Sequence, residues 1–191
     1  MSLKLIKVSV VMELSDEFHL PRLLILLAEA DSRTSKTVEG IMKLAKLDFL
    51  LRYPNCLERL LVNQYRIADK LISKTNRLNI KAYEKTSIES KMIRFRYGPW
   101  DSRYRRWIGI LVAKGLSVTF KKGNTVHVGL TDRGREVAKL IGDMPEFADY
   151  KSRSKLIYTS VGSMAASKLK DLIYQVFPEI IDMKWGNEIQ I

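Results

Sequence analysis

Apolar residues recur at three-to-four spacing through the first third of the chain, and this predicts helices. Leu23, Leu24, Leu27 and Ala30 share one face, and Ile25 and Leu26 widen the stripe. Pro21 suits the first position of that helix, where its missing N–H would be unsatisfied anyway. Residues 31–36 form a polar break. Thr37 then suits the cap of a second helix carrying Ile41, Leu44, Ala45 and Leu47. That helix must end near Tyr53, because Pro54 disfavours helical geometry in the residue before it. Asn55 with Glu58 three residues on is a capping-box start for a third helix with Leu57, Leu60, Leu61, Tyr65, Ala68 and Leu71 on one face. Residues 74–90 are mixed and polar, and read as a connection.

The middle third switches period. Residues 92–97 alternate, with Ile93, Phe95 and Tyr97 on one face and Arg94 and Arg96 on the other, which predicts a strand with its apolar side buried. Gly98-Pro99 breaks it, and Asp101 or Ser102 can cap a helix whose stripe is Tyr104, Trp107, Ile108, Leu111 and Val112. Gly115 stops that helix. Leu116, Val118 and Phe120, then Val126, Val128 and Leu130, alternate with polar residues around the turn Lys121-Lys122-Gly123-Asn124. The expectation is a β-hairpin with one apolar face, and Trp107 buried beneath Val118 and Val128. Thr131 caps a further helix with Val137, Ala138, Leu140 and Ile141, closed by Gly142.

Residues 144–160 look loosely tied. After Ser163, a stripe of Met164, Leu169, Leu172, Ile173, Val176 and Phe177 predicts a helix that Pro178 ends, with residues 180–191 extended. The chain thus reads as mostly α with a small β-hairpin. The order helix, Gly-Leu, hairpin, Leu-Thr, helix is that of a winged helix-turn-helix core. Extra N-terminal helices precede it, and a C-terminal helix plus extended tail follows. The working division is 1–80, a helical region; 81–142, a basic winged-helix region; and 143–191, a C-terminal helix and docking tail, together forming one compact unit.

Charge sharpens this picture. The 191 residues carry a net charge of +12, and residues 81–141 alone carry +9. Such a block suits a polyanion or an acidic protein face, or is simply a solvated surface. At 100° per residue, Arg106, Gly109 and Ala113 lie opposite the apolar stripe of the central helix, flanked by Arg105 and Ile110. In winged helices this helix enters the major groove. The candidate nucleic-acid contacts are therefore Arg94, Arg96, Arg105, Arg106, Lys121 and Lys122. No Asn or Gln lies on this helix to read adenine edges, so the contact expected is weak, sequence-independent and mostly to phosphates.

Other chemistry is missing from the sequence. One cysteine, Cys56, rules out a disulfide framework and a cysteine-rich zinc site, and the two histidines, His19 and His127, lie far apart. Cys56 is either an inert packed residue or a thiol activated by a helix start. His127 falls on the polar face of the hairpin, solvated or touching a groove. There is no phosphate-binding loop, nucleophile elbow or paired-histidine helix, so no catalytic, cofactor or metal site is expected. No apolar run reaches a membrane span and the start lacks a signal-peptide layout, so no membrane association and a cytoplasmic location are expected.

Three phrases extend beyond a generic winged helix: residues 43–61, containing Arg52-Tyr53-Pro54; residues 89–116, containing Tyr97-Gly98-Pro99-Trp100-Asp101; and residues 167–180, containing Phe177-Pro178-Glu179-Ile180. With Trp185-Gly186 following, they resemble the small middle component of bacterial three-component ABC-ATPase systems, the group that includes the antiviral Lamassu systems. The resemblance covers residues 20–190 or so. It implies an adaptor subunit without catalysis of its own, working beside an SMC- or Rad50-like coiled-coil ATPase and an effector, often a nuclease, in anti-phage or anti-plasmid defence. Leu169, Leu172, Ile173, Phe177 and Trp185 then form a candidate partner-binding surface, the alternative being that this helix is ordinary core. A different class of function, a stand-alone winged-helix transcription regulator, would need two-fold dimerisation and base-reading side chains on the central helix.

Overall fold

A computed structural model describes residues 15–33, 36–65, 78–85 and 91–190. The protein is mostly helical with small antiparallel sheets. Helix α1 (Asp16–Asp31) leads through strand β1 (Thr37–Glu39) into α2 (Ile41–Arg52) and α3 (Pro54–Gln64). Ala68 and Leu71, expected on the third helix, lie outside the described residues. After a 3-10 turn at Ala82–Lys85, β2 (Ile93–Phe95) and β3 (Gly98–Trp100) pair antiparallel. The central helix α4 (Tyr104–Ala113) precedes the hairpin of β4 (Ser117–Lys122) and β5 (Thr125–Leu130). Then come α5 (Asp132–Gly142), α6 (Ala148–Val161), α7 (Ala166–Val176) and the short α8 (Glu179–Asp182).

Thr37 does not cap α2. It opens β1, which pairs antiparallel with β5 and sets Val38 opposite Val128, so the larger sheet has the order β1-β5-β4. Gly40, at φ 96, then turns the chain into α2. Pro21 is not at the first turn either. The helix starts at Asp16 and carries Pro21 inside it. The hydrogen bond it forfeits is outweighed by burial of Leu23, Leu24, Leu26 and Leu27, since packing rather than propensity supplies most helical stability in a protein.

Two apolar alternations resolve differently from expectation. In the β4–β5 hairpin a two-residue turn, Gly123-Asn124, sets Lys122 opposite Thr125, Phe120 opposite His127 and Thr119 opposite Val128. Directly paired residues share a face, so Val118 and Phe120 lie on the face opposite to Val126, Val128 and Leu130. Val128 and Leu130 enter the core, while Val118 and Phe120 stay 42% and 48% exposed. Around β2 the expected faces are inverted: Arg94, with Met92 just before the strand, is buried, while Phe95, and Tyr97 in the turn after it, are exposed. The inversion is possible because Arg94 finds acceptors inside. Its Nε donates to the Ile180 carbonyl at 2.8 Å, its Nη1 to the Phe95 carbonyl, and its guanidinium stands over the Tyr174 ring. Residues 187–189 lie beside β2 through an isolated antiparallel bridge between Ile93 and Glu188, with Arg94 N donating to Asn187 O and Ile189 N to Met92 O.

Residues 144–160 are not a loose connection. They hold α6, whose Leu156, Ile157, Tyr158 and Val161 are buried against the same core as α1 and α2. That core draws on each of the stretches 1–80, 81–142 and 143–191. Trp107 is fully buried within it, with His19 tilted against it at 4.4 Å and Tyr104 edge-on at 5.3 Å. Val128 shares its cluster, and Val118 does not. Among the described residues no helix is long and apolar enough to cross a membrane.

Candidate nucleic-acid interface

Local signals build the central helix and its hairpin much as the sequence implies. Neither Asp101 nor Ser102 caps α4, because the residue before it is Arg103, which supplies no side-chain cap; Asp101 instead forms the turn leading in, its Oδ1 accepting the Arg103 N–H at 3.0 Å and its carbonyl the Tyr104 N–H at 3.3 Å. Tyr104, Trp107, Ile108 and Leu111 face inward; Val112, expected with them, is 40% exposed. Gly115, at φ 67, ends the helix, and the Leu116 N–H returns to the Leu111 carbonyl at 2.9 Å. Thr131 pins the base of the hairpin. Its Oγ1 donates to the Gly115 carbonyl at 2.7 Å and accepts the Gly134 N–H at 2.9 Å.

This frame separates the six candidate basic residues. Arg105 and Arg106 are exposed on the outer face of α4, where Gly109 and Ala113 are exposed too. Arg106 is also held by Asp16 at 2.6 Å. Lys121 and Lys122 are exposed at the far end of β4. Arg96 is exposed in the β2–β3 turn, its guanidinium 5.3 Å from the Tyr97 ring centre. Arg94 leaves the set, because its guanidinium is spent on the internal contacts described above.

Arg105 and the hairpin tip meet at one open groove of about 570 Å³. Trp100, Asn124, Thr125 and the starts of α2 and α7 complete its walls. Neither Gly40 nor Ala165, the residues preceding those helices, supplies a side-chain cap. Uncapped N–H groups and the helix dipoles favour anions there, with Glu39 the opposing carboxylate on the wall.

Sequence reasoning missed a buried chain of charges behind this face. Arg22 Nε donates to Asp48 Oδ1 at 2.7 Å, Arg52 Nε to Asp48 Oδ2 at 2.9 Å, and Arg52 Nη1 to Asp101 Oδ2 at 2.9 Å. The Tyr104 hydroxyl adds a bond to Asp48 at 2.5 Å, and Arg103 clasps Asp101 at 2.8 Å. Burial alone would raise the Asp48 carboxyl, but Arg22 and Arg52 overcome it and hold it well below the usual carboxylate range. Asp101 is likewise held at about 2, against its burial, by Arg103 and Arg52. The signals were an arginine inside the apolar run of α1 and an Asp–Arg pair four residues apart between leucines in α2.

The same contacts explain the three distinctive phrases as structural corners that meet. Arg52 reaches Asp101, the Tyr53 hydroxyl accepts the Met92 N–H at 2.7 Å and donates to the Ile189 carbonyl at 3.3 Å, and Arg59 pairs with Glu179.

The remaining candidates fall as follows. Leu169, Ile173 and Phe177 are fully buried in the chain's own core, and Leu172 is half-buried against it, so the C-terminal helix is core rather than a docking surface. Of that set, Trp185 alone is exposed, at 66%. Its segment is not simply extended, because α8 precedes it. His127 is buried rather than solvated, 3.1 Å by its Nδ1 from Thr37 Oγ1 and stacked on Phe120 at 5.0 Å. Cys56 is buried, which pushes its thiol up to about 12, the opposite of activation. Among the described residues no three His, Cys, Asp or Glu side chains are grouped to hold a metal ion. No family model, curated protein or solved structure matches the chain.

Proposed function

We propose that this chain is a winged-helix accessory subunit of an SMC- or Rad50-like ATPase complex, of the Lamassu type, without catalysis of its own. In this reading it bridges the coiled-coil ATPase, an effector nuclease and DNA in bacterial defence. The sheet order β1-β5-β4, with α4 running directly into the β4–β5 hairpin, supports the winged-helix reading. The subunit reading rests on the resemblance of the three phrases to the middle component of such systems.

One observation carries the DNA contact: Arg105 lines the groove between α4 and the hairpin tip, and Arg106, Lys121 and Lys122 stand exposed on the same helix and hairpin. The outer face of α4 carries no amide side chain. The contact is therefore to phosphates and indifferent to sequence. With three or four phosphates neutralised, log K is expected to fall against log salt with a slope of about −3 to −4. Reversing Arg105, Arg106, Lys121 and Lys122 to Glu is expected to abolish blunt-duplex binding, measured by anisotropy at several salt concentrations. If the reversed protein keeps its duplex affinity but loses the ATPase subunit in co-purification, the face is a protein interface instead.

A further inference from the structure

Arg94 gathers exposed aromatic side chains from two distant parts of the chain. Its Nε bond to Ile180 O, its N–H bond to Asn187 O and the Gly186 N–H bond to its own carbonyl, each 2.8 Å, lay residues 180–189 along β2. Around this buried hub, Phe95, Tyr97, Ile181 and Trp185 stay 40–66% exposed. The Phe95 ring lies 6.1 Å from Trp100 with the planes 30° apart, and half-buried Trp100 is itself a wall of the groove. Phe95 and Trp100 therefore share one side of the β2–β3 pair that reaches the groove's edge, with Tyr97 in the adjoining turn and Trp185 next to the Gly186 that bonds to Arg94.

The charges beside it select an occupant. Glu188 is neutralised by Lys91 at 3.1 Å, and Glu179 by Arg59. Arg96 and Lys184 are exposed with no ion pair among the described residues, against one exposed carboxylate, Asp182, in the same state. Solvent-exposed rings beside cations that lack an ion pair, one of them, Arg96, over one face of Tyr97, match unpaired bases on a phosphate backbone, since every base offers a π-face and every linkage a negative charge. A duplex keeps its bases stacked inside and has nothing to lay on these rings.

We propose that Phe95, Tyr97, Trp100 and Trp185 form a stacking platform for single-stranded nucleic acid, with phosphates running past Arg96 and Lys184. This goes beyond the duplex contact, uses different side chains and does not depend on it.

The test uses the full chain and a fluorescein-labelled oligothymidylate of about 12 nucleotides, within the usual site size of such surfaces. Anisotropy is expected to show saturable binding accompanied by quenching of tryptophan emission. Phe95→Ala, Tyr97→Ala and Trp185→Ala, at exposed positions, are each expected to weaken it roughly tenfold while leaving circular dichroism unchanged. Absence of oligothymidylate binding, or binding indifferent to all three substitutions, overturns the proposal. So does a result in which these variants lose the ATPase subunit but bind the oligonucleotide normally, which would make the face a protein-docking surface. A blunt duplex measured in parallel reports separately on the groove. Failure there with oligothymidylate binding intact removes the duplex contact and leaves this platform standing.

Discussion

At the scale of single residues, the buried cations divide by what they meet. Arg22 and Arg52 share the carboxylate of Asp48, and Arg153 is held by Glu84 and the carbonyls of Leu78 and Asn79. Lys46 is buried as deeply, yet its Nζ donates only to the Met42 carbonyl, at 3.1 Å, within its own helix. Burial, helped by the charge of Lys170, lowers its ammonium to about 8. The folded value therefore lies below that of an unfolded lysine. Between about 8 and the unfolded value of 10.5, the unfolded chain binds more protons, so stability rises with pH across that window. Below it the folded protein carries the whole cost of a buried, unpaired charge. Lys46→Met removes that cost at conserved length. It is expected to stabilise the protein at pH 7 by about 1–3 kcal/mol, with the gain shrinking as pH rises from 8 towards 10.5. Urea denaturation of both proteins at several pH values checks it. A loss of stability at pH 7, or a gain independent of pH, would show that the ammonium is well accommodated.

At the scale of elements, the close fit of α5 against the start of the hairpin turns on one glycine. A Cβ built on Gly134 would lie 1.8 Å from the Leu116 carbonyl oxygen, which is backbone and cannot swing aside. Gly109, on the exposed face of α4, has nothing within 4 Å. Gly134→Ala is expected to cost about 3 kcal/mol, and Gly109→Ala to gain about 0.5–1 kcal/mol from helix propensity. Thermal melts of the two variants check the pair, and equal effects would contradict this packing. What the sequence made legible here was local: the Gly115 stop, the Thr131 cap, a hairpin turn containing Gly123-Asn124 and the outward arginines of α4 all follow from neighbouring residues. What it hid was set at long range. Both hairpin strands place their apolar residues at even numbers, and a two-residue turn opposes even to odd, so one face could not hold them all. The buried side of β2 depends on carbonyls almost ninety residues away, at Ile180. Strand β1 is three residues long and forms only because β5 is beside it. Helix α6 escaped notice because Arg153 and Ser154, polar by composition, are buried in it. For the candidate site, the same division removed Arg94 and kept Arg105, Arg106, Lys121 and Lys122.

At the scale of the whole molecule, the C-terminal third is a structural partner of everything before it. Leu169, Ile173, Val176, Phe177, Ile180 and Ile189 are all buried, and Phe177 meets Phe49 of α2 edge-on at 5.9 Å. The final segment, residues 187–189, hydrogen-bonds to Met92 and Arg94, and Tyr53 reaches across to the Ile189 carbonyl. Fully burying a large apolar side chain contributes about 1.5–3 kcal/mol, so these six contribute on the order of 10 kcal/mol in gross terms. That matches the entire net stability of a typical domain, about 5–15 kcal/mol. A chain truncated after Tyr158 is therefore expected not to fold, even though it retains every residue of the basic helix and hairpin. Near-ultraviolet circular dichroism should lose its fine structure, and the emission of Trp107 should shift to that of a solvated indole. Trp185→Ala, which removes an exposed ring from the same segment, is the matched control and is expected to unfold at the same urea concentration as the native chain. If the truncated protein instead unfolds cooperatively with Trp107 still shielded, residues 1–158 hold a sufficient core. The C-terminal helices would then be free to dock elsewhere.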